Sequence, residues 1–155
     1  MNIVITGANR GIGLELCHQY SRHHSVIALC RQASAALKNI ANIKIIEDVD
    51  VKSLGAIKKA VNLCPNHLDL LINNAGILNR VGLDTFDEHV VLDQFDINAM
   101  GPLRVTHSFL SRLNNGSKVV LITSRMGSIE DNTSGSHYGY RMSKAALNMA
   151  GKSLA

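Results

Sequence analysis

The sequence predicts an α/β domain, a doubly wound parallel sheet with helices on both faces. Three observations predict it. Short apolar runs suit strands buried on both faces, apolar residues at helical spacing separate them, and the two patterns alternate along all 155 residues. At 46% hydrophobic and 18% charged, the chain fits one globular domain, residues 1–155, with enough apolar mass for a substantial core.

Taken in order, Asn2 to Thr6 is an apolar run ending at Gly7, read as a first strand. From Ile12 the residues Ile12, Leu16, Cys17 and Tyr20 recur at helical spacing. Ser25 to Cys30 reads as a second strand, Ala33 to Ala41 as a short helix, and Ile43 to Ile46 as a third strand. A helical stripe over Lys52–Leu63 is closed by Pro65, and Leu68 to Ile72 forms a fourth strand running into Asn73-Asn74-Ala75-Gly76. A long helical stretch is expected from about Asp87 to Leu113, broken or bent near Gly101-Pro102. Lys118 to Thr123 is the fifth strand, Arg125 to Ser136 a polar loop, and His137 to Ala155 a last helix. The Met142 and Met149 stripe on that helix is expected to pack in the core.

The composition excludes collagen-like, mucin-like and disordered classes. No apolar run approaches the ~20 residues that span a bilayer, so no membrane association is expected. The N-terminus has neither the charged region nor the long apolar region of a signal peptide. The net charge is +4 with the cations dispersed, and no aromatic residues alternate with basic ones, so nucleic acid is not an expected partner. Cys17, Cys30 and Cys64 are odd in number and far apart, which fits a reducing compartment, most simply the cytoplasm. His23-His24 reads as a solvated turn, and the histidine spacing implies no metal.

The first strand–helix turn is Thr6-Gly7-Ala8-Asn9-Arg10-Gly11-Ile12-Gly13. Glycines there permit a tight turn, let the backbone approach a diphosphate at the helix N-terminus, and let the helix pack on the sheet. The spacing is G-x-x-x-G-x-G, and an ordinary turn is the alternative. An NAD-binding second strand ends in an acid that bonds the ribose 2′-hydroxyl, whereas this one ends Leu29-Cys30-Arg31-Gln32. Arg31 and Arg10 are placed to meet a 2′-phosphate, so NADP(H) is expected ahead of NAD(H); the alternative is two solvated arginines. Near the end of the chain, Tyr140 and Lys144 stand at i and i+4, one face of a helix. A free tyrosine titrates near ~10, and a neighbouring cation favours the phenolate, making it a proton donor and acceptor for carbonyl chemistry. Alone, such spacing is a frequent accident.

Together the glycine turn, Asn73-Asn74-Ala75-Gly76, Asn98, Ser124 and Tyr140-x-x-x-Lys144 resemble, in order and spacing, the classical short-chain dehydrogenases/reductases. Ser124-Arg125-Met126-Gly127-Ser128-Ile129 and Tyr140-Arg141-Met142-Ser143-Lys144-Ala145-Ala146-Leu147-Asn148 more narrowly resemble the C-factor/sniffer-like carbonyl reductase branch. The resemblance implies a Rossmann fold and a small carbonyl or alcohol substrate. It implies Tyr140 as catalytic acid/base, Lys144 as its modulator and ribose ligand, Ser124 as the group bonding the substrate oxygen, and Asn98 as the anchor of a relay water. Gly7, Asn9, Arg10, Gly11, Ile12, Gly13 and Arg31 would hold the cofactor, with Asn74, Ala75 and Gly76 against its adenosine half. Asp50-Val51 matches the pair that contacts adenine, and Asp48-Val49 is an equally legible pair two residues earlier. Family members commonly pair through helices like Asp87–Leu113 and the one after His137, so a homo-oligomer is possible.

Family members continue past the Tyr-Lys helix through another strand, a Pro-Gly loop touching the nicotinamide, and a final strand. This chain stops 11 residues after Lys144. The expectation is an incomplete domain, C-terminal strands missing: a fragment, or a short relative with little activity alone. A dinucleotide-binding signalling or interaction module, C-factor-like and with little turnover, is the alternative to a reductase.

Overall fold

The structure, a computed structural model, describes residues 1–155. Five parallel strands form one sheet: β1 (Asn2–Thr6), β2 (Ser25–Leu29), β3 (Ile43–Ile46), β4 (Leu68–Asn73) and β5 (Leu113–Leu121), in the order β3-β2-β1-β4-β5. The connecting helices are α1 (Gly11–Tyr20), α2 (Ala35–Lys38), α3 (Leu54–Asn62), α4 (Glu88–Phe95), α5 (Gly101–Phe109) and α6 (Tyr138–Leu154).

The alternation of side chains along the strands divides the core in two. Val4, Ile27 and Leu71 face one way and meet Ile57, Ala60, Val105 and Phe109 from α3 and α5. Ile3, Ile5, Val26, Ala28 and Ile72 face the other way and meet Cys17 and Leu37 from α1 and α2. Because β1 has β2 on one side and β4 on the other, the chain leaves it in opposite directions. A crevice opens at the strand C-termini there, the switch point where ligands of such sheets bind.

Several boundaries differ from expectation. The short second helix is only Ala35–Lys38, because Ser34 caps it, its Oγ accepting from Leu37 N at 3.2 Å. The third begins at Leu54 for the same reason, capped by Ser53. The expected helical stretch over Asp87–Leu113 is α4, a π-helical turn over Asp96–Met100, then α5 and a 3-10 turn to Arg112. β5 starts at Leu113 and not at Lys118, with a register shift opposite Leu68/Leu70 on β4. Its polar start is held in the sheet by Ser117, whose Oγ donates to Leu68 O at 2.6 Å. Met142 and Met149 are 55% and 67% exposed, not core. The buried face of α6 carries Gly139, Ser143, Lys144 and Leu147 instead, and the methionines lie on another side of the helix. No helix is long and apolar enough to cross a membrane.

Candidate functional site

The crevice at the switch point is a cleft of about 1120 Å³ whose walls are the β1–α1 turn, the end of β2, residues 49–51 and the Asn74–Ile77 segment. Its floor is set by Thr6. That buried hydroxyl accepts from Asn74 N at 3.0 Å and Ala75 N at 3.1 Å, while Asn74 Nδ2 returns bonds to Thr6 O and Gly7 O at 3.0 and 3.1 Å. The ends of β1 and β4 are thus tied together at the cleft. Gly7 adopts φ +65°, and a Cβ on it would stand 2.7 Å from Ala75 Cα. A Cβ on Gly13 would overlap Gly7 O. Both positions require glycine, one for its backbone and both for close approach. Asn9 is held by Ser34, whose Oγ donates to Asn9 O at 2.7 Å.

Gly7, Asn9, Arg10, Gly11, Ile12, Arg31, Asp50, Val51, Asn74, Ala75 and Gly76 all line the cleft. Gly13 lies behind them, packing α1 onto Gly7 and Asn74. Of the two acidic pairs left open by the sequence, both residues of Asp50-Val51 border the cleft, and of the other pair Val49 does. Asp48 does not: it takes φ +60° and spends its N–H on Arg31 O at 3.0 Å, which turns it away. Arg10 and Arg31 are exposed on the cleft wall, and neither side chain takes part in a hydrogen bond or salt bridge. The glycine backbone, the small residues opposite and the two unpaired cations fit an anionic dinucleotide.

The second group lies beyond Gly76. A Cβ on Gly76 would stand 3.1 Å from Asn98 Oδ1 and 3.7 Å from Lys144 Nζ, so the turn after β4 joins the cleft to both residues. Lys144 is only 4% exposed. Its Nζ donates to Ile122 O at 2.8 Å and sits 5.7 Å from the centroid of the Tyr140 ring. Burial pushes the Lys144 ammonium below its ordinary value. The Tyr140 hydroxyl makes no hydrogen bond within the protein, which leaves it open to an incoming oxygen. Ser124 stands past the end of β5, and its Oγ accepts from Met126 N at 3.1 Å, keeping its own proton for another acceptor.

Asn98 is fully buried in the π-helical turn. Its Oδ1 accepts from Ile77 N at 2.8 Å, and its Nδ2 donates to Ile77 O at 2.9 Å and Ser143 Oγ at 3.0 Å. The side chain is therefore consumed in holding the segment after Gly76.

Four contributors were not singled out from sequence. Thr6 and Ser34 shape the cleft, as above. Ser143 bridges Asn98 to α6 and donates to Tyr140 O at 2.8 Å. Asn148 bonds Thr123 and donates to Gly127 O at 3.3 Å, fixing the turn after Ser124. Their one sequence signal is a polar residue on an otherwise apolar face. His137 both precedes α6, in a left-handed backbone, and lines a second cavity beside it.

The family model for short chain dehydrogenases matches residues 1–155. The chain is 37% identical over 153 residues to the 1-hydroxy-2-glutathionyl-2-methyl-3-butene dehydrogenase of Rhodococcus sp. (strain AD45), covering 96% of this chain and 67% of that protein. It is 49% identical over 98 residues to the C-signal protein of Myxococcus xanthus, covering 61% of this chain and 59% of that one. Among solved structures it resembles the NADPH-bound carbonyl reductase from chicken fatty liver, with a TM-score of 0.85 at 29% identity, over 96% of this chain and 70% of that one. These 155 residues thus correspond to about three-fifths to seven-tenths of such proteins. The match to the family runs from the first residue to the last, through cleft and Tyr-Lys helix alike, and the chain belongs to the short-chain dehydrogenase/reductase family, oxidoreductases that bind nicotinamide dinucleotides.

Proposed function

We propose that the protein is an NADP(H)-dependent oxidoreductase that interconverts a carbonyl and an alcohol, with Tyr140 as acid/base. The observation that carries this is the position of Lys144 Nζ, 5.7 Å from the Tyr140 ring and against Gly76 at the end of the cofactor cleft. A bound nicotinamide supplies the hydride. The chain's own residues supply the rest. Tyr140 gives its hydroxyl proton to the substrate oxygen as charge develops there, and the buried Lys144 ammonium stabilises the phenolate left behind. Ser124 Oγ donates to the same oxygen, and Arg10 and Arg31 pair with the 2′-phosphate.

The NADPH preference is supported by those two cations and by the cofactor named for the chicken reductase. The relative from Rhodococcus is named for an alcohol substrate, which fits the reverse direction of the same chemistry. The signalling alternative is not adopted, because Asn98, Ser124, Tyr140 and Lys144 are all present, and Lys144 stands against Gly76 of the cleft with Tyr140 beside it.

The test is cofactor binding and turnover in the full chain. NADPH should bind at least about tenfold more tightly than NADH, the scale of one charge-assisted hydrogen bond. Arg31→Ala should remove most of that difference. Equal affinity for the two cofactors overturns the assignment of NADP(H), and unchanged turnover in Tyr140→Phe overturns the acid/base role.

A further inference from the structure

Beside the Tyr-Lys helix lies a second cavity, of about 380 Å³, whose charged lining is Arg80, Arg125, Asp131, His137 and Arg141. The segments that form it continue directly from the proposed reaction site. Leu78 and Arg80 follow Gly76, Arg125 and Met126 follow Ser124, and His137 and Arg141 flank Tyr140 on α6. A substrate whose oxygen lies between Ser124 and Tyr140 therefore has this cavity next to it.

The cavity is cationic beyond what its own acid balances. Asp131 pairs with Arg125, Oδ2 to Nε at 3.1 Å, and Arg125 is largely exposed. Arg80 and Arg141 have no acidic partner. Arg141 is held rigidly: its Nε donates to Gly135 O at 3.2 Å and its Nη2 to Ser134 Oγ at 2.9 Å. Those bonds brace a backbone turn in which Gly135, Ser136 and His137 are all left-handed, with φ of +61°, +54° and +53°. The remaining nitrogen, Nη1, is buried with no partner. With almost no exposed surface that atom cannot meet a ligand, and what Arg141 offers the cavity is a positive charge that no acid neutralises. A carboxylate fits the cavity because it neutralises the surplus charge.

We propose that this cavity is the substrate's anion subsite, and that the protein acts on carbonyl or alcohol substrates carrying a carboxylate, held by Arg141 and Arg80. The proposal deepens the oxidoreductase reading and rests on it for the position of the reacting oxygen. Arg141 positions the carboxylate, and Arg80, exposed and without other bonds, closes over it.

The test compares para-carboxybenzaldehyde with its methyl ester as substrates of the full chain with NADPH. They present the same aldehyde and differ in the charge alone. The expected result is a kcat/KM about tenfold to hundredfold higher for the carboxylate, the range of charge-assisted bonds. Arg141→Gln and Arg80→Ala should each shrink that ratio, and Arg141→Lys should restore part of it. Because Arg141 also braces the turn before α6, Arg80→Ala keeps the test meaningful should Arg141→Gln fail to fold. Equal kcat/KM for the two aldehydes overturns the subsite and leaves the reductase reading standing. If neither aldehyde is reduced, the reductase reading fails, and calorimetric titration with benzoate decides the subsite. Benzoate binding that weakens in Arg80→Ala supports it. No binding, or binding that Arg80→Ala leaves unchanged, overturns it.

Discussion

The centre of the sheet and its β5 edge are built differently. Within β1, Ile3, Val4, Ile5 and Thr6 are all buried, whereas no residue of β5 is buried along its length. The β1 side carries the cofactor cleft on a dense, two-faced core. The β5 side carries Ser124 and leads to Tyr140 on a sparse one, where side-chain hydrogen bonds such as Lys144 to Ile122 O replace apolar packing. The difference separates two kinds of sensitivity. Substitutions around β1 should act on stability, and those around β5 and α6 on chemistry.

The largest expected effect breaks that comparison if it fails. Tyr140→Phe should lower NADPH-dependent turnover by about 10²–10⁴-fold, the usual worth of a positioned acid/base. It should leave the urea midpoint nearly unchanged, since the hydroxyl has no partner in the protein. Ile5→Ala should do the opposite, costing about 2–5 kcal/mol of stability in urea titrations. Thr6→Val is expected to cost about 1–3 kcal/mol, because it strands the Asn74 and Ala75 amides, and to weaken dinucleotide binding as well. Val119→Ala on β5, by contrast, should cost under about 1 kcal/mol. A loss as large as that of Ile5→Ala would show that β5 is buried in the working protein by something beyond these residues.

A smaller effect sharpens the comparison through pH. Burial lowers the folded value of Lys144 from 10.5. Between that lowered value and 10.5 the unfolded chain binds more protons than the folded one, so the contribution of Lys144 to stability rises as pH climbs through this window. Lys144→Met, which has no charge to bury, should lack that rise, as thermal unfolding of the pair across alkaline pH would show.

Much of the β1 side was legible in the sequence because its requirements are written as residue types. Gly7 and Gly13 record a left-handed backbone and a close approach, and the unbroken Ile3-Val4-Ile5 run records burial on two faces. The β5 side was less legible. The first five residues of β5 are polar or flexible except Leu113, and their strand character comes from pairing with β4, which no local pattern carries. The π-helical turn at Asn98 is a shift of hydrogen-bond partners that leaves the apolar spacing almost intact. Met142 and Met149 had helical spacing, yet spacing marks a face without saying what that face meets. The anionic-subsite arginines carry no pattern at all. Three separate segments bring them together.

Thr6 carries a further consequence. One hydroxyl bonded to two amides of the opposite strand end makes the two walls of the cleft a single stiff body. A dinucleotide bound in the cleft would meet these two segments already joined, so little of its binding energy would be lost to ordering them. Affinity at that end should then be governed by contacts alone, with association limited by encounter and not by the closing of a loop.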